Sequence, residues 1–255
     1  MYLVYDNGKG IYLDGSSQNL ILSNDAVQND FGLFLEGSDH NKLTSNDLRE
    51  NEGGLSLNRS GKNVLGNNLI IDNGYNFLVD GLNRSHFDNQ VDVTNLINGR
   101  PIRYLVDSSN TIVDSSSGAS SVVCINCTNV TVKDLDLRGN REGIKFFETR
   151  DSTIKNNILS DNLYGISLER STKNSVEANY LRNNTYGIFL NDSFDNLLEG
   201  NRAGEMNTYG IYLAFCRHNI LRDNLMAGNR YNFYARGDND IDLSNRVDGK
   251  PIFYL

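Results

Sequence analysis

The chain has 255 residues, and 38 Asn and 23 Gly against 7 Ala and 2 Pro exclude helical bundles and coiled coils, which need good helix formers. A net charge of −8 opposes nucleic-acid or anionic-membrane binding, and no apolar run approaches the roughly 18 residues of a membrane span. Three Cys supply no disulfide framework.

From the start of the chain the sequence repeats. Gly10, Gly32 and Gly54 recur every 22 residues and Asn76 continues the series. With these as position zero, Ile11/Leu13, Leu33/Leu35, Leu55/Leu57 and Phe77/Val79 alternate as one strand with an apolar face. Ile21, Leu43, Leu65 and Phe87 mark a second short strand at position eleven, and Ala26, Leu48 and Ile70 a third at sixteen. Asn stands between them: Asn19, Asn41 and Asn63 at nine; Asn24, Asn46 and Asn68 at fourteen; Asn29, Asn51 and Asn73 at nineteen. Asn tolerates left-handed backbone and its amide both donates and accepts, so stacked Asn are expected to form hydrogen-bonded ladders, with the Gly row supplying positive φ at a corner.

The middle fits with adjustments. Pro101 takes position zero, followed by Ile102 and Tyr104, with Asn110 and Ile112 at nine and eleven; Ser121 opens another turn through Val122, Cys124, Val130 and Val132. Gly143, Gly165, Gly187, Gly210 and Asn232 then resume the zero row, with one extra residue before Gly210. The ladder at fourteen continues as Asn157, Asn179, Asn201 and Asn224, and an aromatic row, Phe31, Tyr75, Tyr164, Tyr186, Tyr209 and Tyr231, precedes position zero. The stretch 95–105 recurs at 245–255.

Three short strands per 22 residues make one triangular coil. The sequence therefore predicts an all-β fold, a right-handed single-stranded parallel β-helix of about ten to eleven coils. One continuous domain is expected over 1–255, with internal units 1–100 and 101–250 and 251–255 starting a further coil. No amphipathic helix is visible to cover either end, so neighbouring domains of a longer chain or end-to-end self-association are expected partners.

The run Gly165-Ile166-Ser167-Leu168, through Ser171, Asn174, Asn179 and Asn184 to Tyr186-Gly187, resembles the parallel β-helix repeat of NosD-like proteins. That family includes periplasmic copper-binding accessory proteins of nitrous oxide reductase and archaeal cell-surface proteins. Asn98-Gly99-Arg100-Pro101-Ile102-Arg103-Tyr104-Leu105, followed by Cys127-Thr128-Asn129-Val130-Thr131-Val132, is similar to the connector of the archaeal branch. The resemblance implies an extracellular, cell-surface or periplasmic location. No signal peptide precedes the repeat in this chain.

Chemistry is sparser. Asp14, Glu36, Asn58, Asp80, Glu169 and Asn191 with Asp192 form an outward row at position four, where β-helix enzymes place acid–base pairs; with no Gly-His-Gly or Asp-Asp signature beside them they read as solvated turns, a catalytic pair being the alternative, and no catalytic residue is assigned. Lys155, Glu177, Glu199 and Arg222 at twelve read as a surface charge ladder. His40 and His218 share position eight, a variable turn, and His86 stands apart. Cys124 and Cys127 form a Cys-x-x-Cys, which can hold Cu(I) or act as a redox couple, but they fall at inward positions three and six, where Cys216 also lies and Ser is usual. They read as small buried residues, with a disulfide or a metal site as alternatives; no metal or cofactor is expected.

Position two carries aromatics on the outward face, and Tyr12, Phe34, Phe189 and Tyr212 are the candidate carbohydrate-binding residues, cross-strand packing under a partner domain being the alternative. Six Asn-x-Ser/Thr sequons, at Asn58, Asn83, Asn126, Asn129, Asn183 and Asn191, are compatible with a glycosylated surface protein. The leading expectation is a non-catalytic extracellular or cell-surface scaffold that binds polysaccharide or glycan. The alternatives are a polysaccharide-active hydrolase, lyase or epimerase and a periplasmic copper-handling protein.

Overall fold

The alternation after each position zero builds six-residue strands, and the isolated apolar positions at eleven and sixteen build three-residue ones. The computed structural model describes residues 3–254. It is all-β, a parallel β-solenoid of about eleven coils in two compact units: the chain up to Val106 with Gly139–Arg141, and Asp107–Arg138 with the chain from Glu142 onward.

In the first unit Lys9–Asp14, Phe31–Glu36, Gly53–Asn58 and Tyr75–Asp80 stack as a four-stranded parallel sheet, Ile11 opposite Leu33 and Leu33 opposite Leu55. Leu20–Leu22, Lys42–Thr44, Val64–Gly66 and Gln90–Val91 form the second column, and Leu3–Tyr5, Asp25–Val27, Asp47–Arg49, Leu69–Ile71 and Leu96–Ile97 the third. The second unit repeats the plan. Its long strands run in parallel from Ser121–Ile125 to Tyr231–Ala235, and its two short-strand columns from Ile112–Val113 to Asp240–Ile241 and from Asp136–Arg138 to Arg246–Val247. Inward residues such as Leu33, Leu43 and Leu48, or Ile166, Val176 and Leu181, are fully buried and stack like on like.

Three Asn ladders hold the corners in each unit. Within the ladders the backbone N–H and the Nδ2 of an interior Asn donate to Oδ1 of the Asn one coil on, while the second Nδ2 hydrogen donates to a backbone carbonyl of the preceding coil. Asn46 is representative: Nδ2 to Asn68 Oδ1 2.9 Å, N to the same oxygen 3.1 Å, Nδ2 to Ile21 O 3.0 Å. Both amide ends are thereby satisfied in a dry corner. The predicted Asn24, Asn46 and Asn68 continue to Asn95, and Asn157, Asn179, Asn201 and Asn224 continue to Asn245. Asn89 and Asn239 extend the ladder at nine. Asn76 and Asn232, assigned to the Gly row, also accept from Asn73 and Asn229 and end the ladder at nineteen.

The structure corrects four details. Left-handed backbone belongs to the residue before the ladder Asn in the regular coils, such as Ser23, Ser45 and Lys173 (φ 53, 55 and 55°), and not to the ladder Asn themselves. The Gly row is not a positive-φ row either. A Cβ at Gly187 would lie 2.5 Å from the Gly210 carbonyl oxygen, and one at Gly54 2.6 Å from that of Asn76, so these glycines are required by the closeness of the next coil. Phe87 is not in the second strand: it ends a 3-10 turn, Arg84–Phe87, and Val91 takes the place opposite Leu65 because four extra residues lengthen that coil. Ile112 is 63% exposed and Val113 fills the inward place, since Ile112 pairs with Thr131 only 19 residues away.

Pro101 lies in Arg100–Val106, which pairs antiparallel with Leu96–Ile97 around Asn98-Gly99 (φ 49 and 78°). Asp248-Gly249 (φ 49 and 77°) makes the same hairpin between Arg246–Val247 and Lys250–Pro251. Both are the two-residue turn with positive φ at each position that Asn-Gly and Asp-Gly favour. The duplication extends to anchors, Tyr104 donating to Phe87 O at 2.6 Å and Tyr254 to Gly237 O.

Candidate functional site

Coil-to-coil register places identical outward positions above one another, so any outward row becomes a stack. In the second unit Tyr164, Tyr186, Tyr209 and Tyr231 are consecutive Cα partners, as are Phe189, Tyr212 and Tyr234. Within the first row the centroids lie 5.1, 4.8 and 5.0 Å apart at 13, 7 and 19°; within the second, 5.8 and 4.5 Å at 22 and 17°. The rows interlock edge to face, Tyr186 with Tyr212 at 5.6 Å and 80° and Tyr209 with Tyr212 at 5.3 Å and 80°. Seven rings thus form one lattice. The sequence candidates Phe189 and Tyr212 both belong to the second row, and Tyr234, at the same repeat position after Asn232, completes it although the spacing argument did not single it out.

Stacked rings cover one another's faces. The interior rings are half-buried and present edges and phenol groups, whereas Tyr231 (47% exposed) and Tyr234 (41%) end their stacks and keep open faces. Burial, then the neighbouring phenols, pushes the Tyr186 and Tyr212 hydroxyls up, so both stay protonated at neutral pH and can donate as well as accept.

On the same sheet, one coil below Tyr164 and Ser167, stand Glu142 and Lys145. The Lys145 ammonium, 2% exposed, sits 2.7 Å from Glu169 and 3.7 Å from Glu142, whose side chain is 5% exposed. Glu169 is thus drawn from the position-four row into an ion cluster that repetition alone did not reveal. Elsewhere in that row Glu36 accepts from Asn58 Nδ2 at 2.7 Å, and Asp80 takes the Gly81 N–H at 2.8 Å and lies 3.5 Å from Arg141.

In the first unit Tyr12 and Phe34 are neighbours at 5.7 Å and 47°, and Phe31 meets Phe34 edge-on at 4.9 Å. The Lys9 ammonium lies 3.5 Å from the Tyr12 centroid. Each predicted aromatic pair therefore forms a contact inside its own unit.

Cys124, Cys127 and Cys216 are buried free thiols. Burial pushes the Cys124 thiol well up, so it stays protonated and hydrogen-bonded to Cys127; burial pushes Cys216 up to about 11. Cys127 and Cys216 end a hydroxyl row running through Thr149, Ser171 and Ser193, four coils or about 19 Å apart. His40 and His218 occupy left-handed turn positions (φ 58 and 56°), and His86 Nδ1 accepts from the Leu82 N–H. Among the described residues no three His, Cys, Asp or Glu side chains converge on a point, and none of their helices is long and apolar enough to cross a membrane.

The family model described as periplasmic copper-binding protein (NosD) matches residues 3–104 and 88–246. No curated protein matches the chain. Among solved structures, DFA-IIIase from Arthrobacter chlorophenolicus A6 without its lid is similar at 12% identity and TM-score 0.35, over 95% of this chain and 54% of that one. A complex of XylC with xylose is similar at 13% and 0.37, over 93% of this chain and 39% of that one. The A-module of the mannuronan C-5 epimerase AlgE4 of Azotobacter vinelandii is similar at 14% and 0.37, over 94% and 75%. The chain spans about half the length of the DFA-IIIase chain. Among the described residues the copper in the family's description finds no matching donor set: two of the thiols are packed in the core and hydrogen-bonded to each other, the third lies four coils away, and no imidazole joins them.

Proposed function

This chain belongs to the NosD family, and from that membership and the ring lattice we propose that it is a non-catalytic β-helical scaffold outside the cytoplasm whose aromatic face binds glycan. The lattice from Tyr164 to Tyr234 carries the reading. Its phenol edges repeat at the coil spacing of about 4.8 Å, so a polymer of polyhydroxylated rings lying along the axis meets the same donor at every step. Its end rings offer open faces to the apolar side of a sugar. The description of the family as periplasmic supports the location.

Affinity electrophoresis in gels containing soluble polysaccharides tests this. Wild type should be retarded by at least one polymer, and Tyr212→Ala, which opens the middle of the lattice, should lose most of the retardation. Unretarded wild type, or a Tyr212→Ala variant retarded as strongly, would sink the reading. The Glu142–Lys145–Glu169 cluster favours one competing view, a polysaccharide-cleaving or epimerising enzyme, since carboxylates gathered on a β-helix face suit acid–base work. Turnover of a polysaccharide that Glu169→Gln abolishes would establish it.

A further inference from the structure

The outward rows of the first unit's long-strand sheet run Lys9, Phe31, Gly53, Tyr75 and Tyr12, Phe34, Ser56, Leu78. At one coil, Gly53–Asn58, both rows lose their large side chain together. What remains is a cavity of about 170 Å³ lined by Gly53 and Ser56, by the rings of Phe31 and Tyr75, and by Glu52 and Arg141. A Cβ at Gly53 would lie 2.6 Å from the Phe31 ring, so any larger residue would push that ring aside. Ser56 is 1% exposed, and its Oγ has no hydrogen-bond partner among the described residues. Buried hydroxyls in native proteins are nearly always paired, so an unpaired one lining a cavity marks a place where a polar ligand group fits.

We infer that this notch is a subsite for a single neutral pyranose ring of a glycan, an inference that rests on the glycan-binding reading above. Aromatic walls suit the apolar C–H faces of a sugar. The Ser56 hydroxyl, the Glu52 carboxylate and the Arg141 guanidinium offer donors and acceptors for its hydroxyls. An apolar side chain would leave Ser56 unpaired, so a protein partner's Phe or Leu fits less well. A uronate fits less well too: Glu52 repels it, and Arg141 is already paired with Asp80 at 3.5 Å.

The test is calorimetric titration of the whole chain with cellohexaose, xylohexaose, mannohexaose and hexagalacturonate, with thermal melts confirming each variant's fold. Wild type should bind at least one neutral hexasaccharide. Ser56→Leu, which fills the notch, should weaken that binding tenfold or more, and Glu52→Ala, which leaves Ser56 intact, at least threefold. If wild type binds and both variants bind equally well, the notch assignment fails while the glycan reading stands. No binding of any hexasaccharide by wild type overturns the glycan reading itself. Tighter binding of hexagalacturonate than of every neutral oligomer overturns the neutral class. Should Ser56→Leu not fold, Glu52→Ala alone decides.

Discussion

Replacing Asn179 by Ala tests whether the corner ladders hold the solenoid together. The Asn179 amide donates to Asn201 Oδ1 at 3.0 Å and to Ile154 O at 2.9 Å, and its own Oδ1 accepts from Asn157 N at 3.0 Å and Asn157 Nδ2 at 2.9 Å. Asn179 is 1% exposed. Truncation leaves two donors of Asn157 and the carbonyl of Ile154 without these partners in a dry corner. Each orphaned buried group costs about 1–3 kcal/mol, so the loss should be about 3–5 kcal/mol after partial relaxation. Asn19→Ala is the control. Asn19 is exposed and its amide only donates, to Asn41 Oδ1 and Ser17 O, so its loss should stay near 1 kcal/mol.

The assay is urea unfolding followed by circular dichroism in the β region, comparing midpoints at matched slope because solenoid stability is a sum over neighbouring coils. Asn179→Asp adds a pH arm. The carboxylate would face Asn201 Oδ1 and Ile154 O, which raises its folded pKa above the unfolded value. Its penalty is then small below the unfolded pKa and grows as pH rises through the folded one. If Asn179→Ala costs no more than Asn19→Ala, or Asn179→Asp is equally stable at pH 4 and pH 7, the amide ladders are not what stabilises the corners.

Gly187→Ala should cost about 3 kcal/mol, because its Cβ meets a backbone oxygen at 2.5 Å, while Gly37→Ala, with φ +53° and open space around it, should cost about 1 kcal/mol of strain; equal thermal shifts would refute the packing account of the zero row. The buried thiols should give well under one equivalent with Ellman's reagent at pH 8 in the folded protein and three in guanidinium, and rapid native labelling would contradict their placement. Lys145→Met should cost about 3–5 kcal/mol at neutral pH by leaving the Glu142 and Glu169 carboxylates together without the ammonium. A urea midpoint unchanged from wild type would count against the cluster.

Most of the scaffold was legible because its determinants are local and repeat at a fixed interval. Leu33, Leu55 and Asn46 each do in one coil what their counterparts do in the next. Features that depend on local chain length were not legible. Phe87 imitates the apolar residue at position eleven, yet the extra residues around Arg84–Phe87 move that place to Val91. Ile112 imitates it too, until a 19-residue step puts Val113 inside. The hairpins at Asn98-Gly99 and Asp248-Gly249 carried a plain turn signal that the repeat register obscured. Of the candidate site, the Phe189 and Tyr212 neighbourhood could be read from spacing. The burial of Lys145 and the unpaired Ser56 hydroxyl could not, since both depend on which side chains fold over them.

The way a coil is built determines where specificity can be written. Each one commits its zero position to closeness of the next coil, three corners to Asn, and its inward positions to apolar packing, so only the outward rows are free to vary. An unbroken outward row of rings is a periodic surface, suited to a periodic polymer and indifferent to where along the polymer it binds. A break in a row is different. Gly53 and Ser56 together delete one rung and leave a buried, unpaired hydroxyl beneath the gap, which on the proposed reading is a single place at which one ring of a glycan would be distinguished from its neighbours. The Asn ladders fix the backbone of the coils on either side, so on that reading the strands that carry Phe31 and Tyr75 need no ordering on binding. A repeat protein of this kind gains affinity from its regularity and selectivity from the exceptions to it.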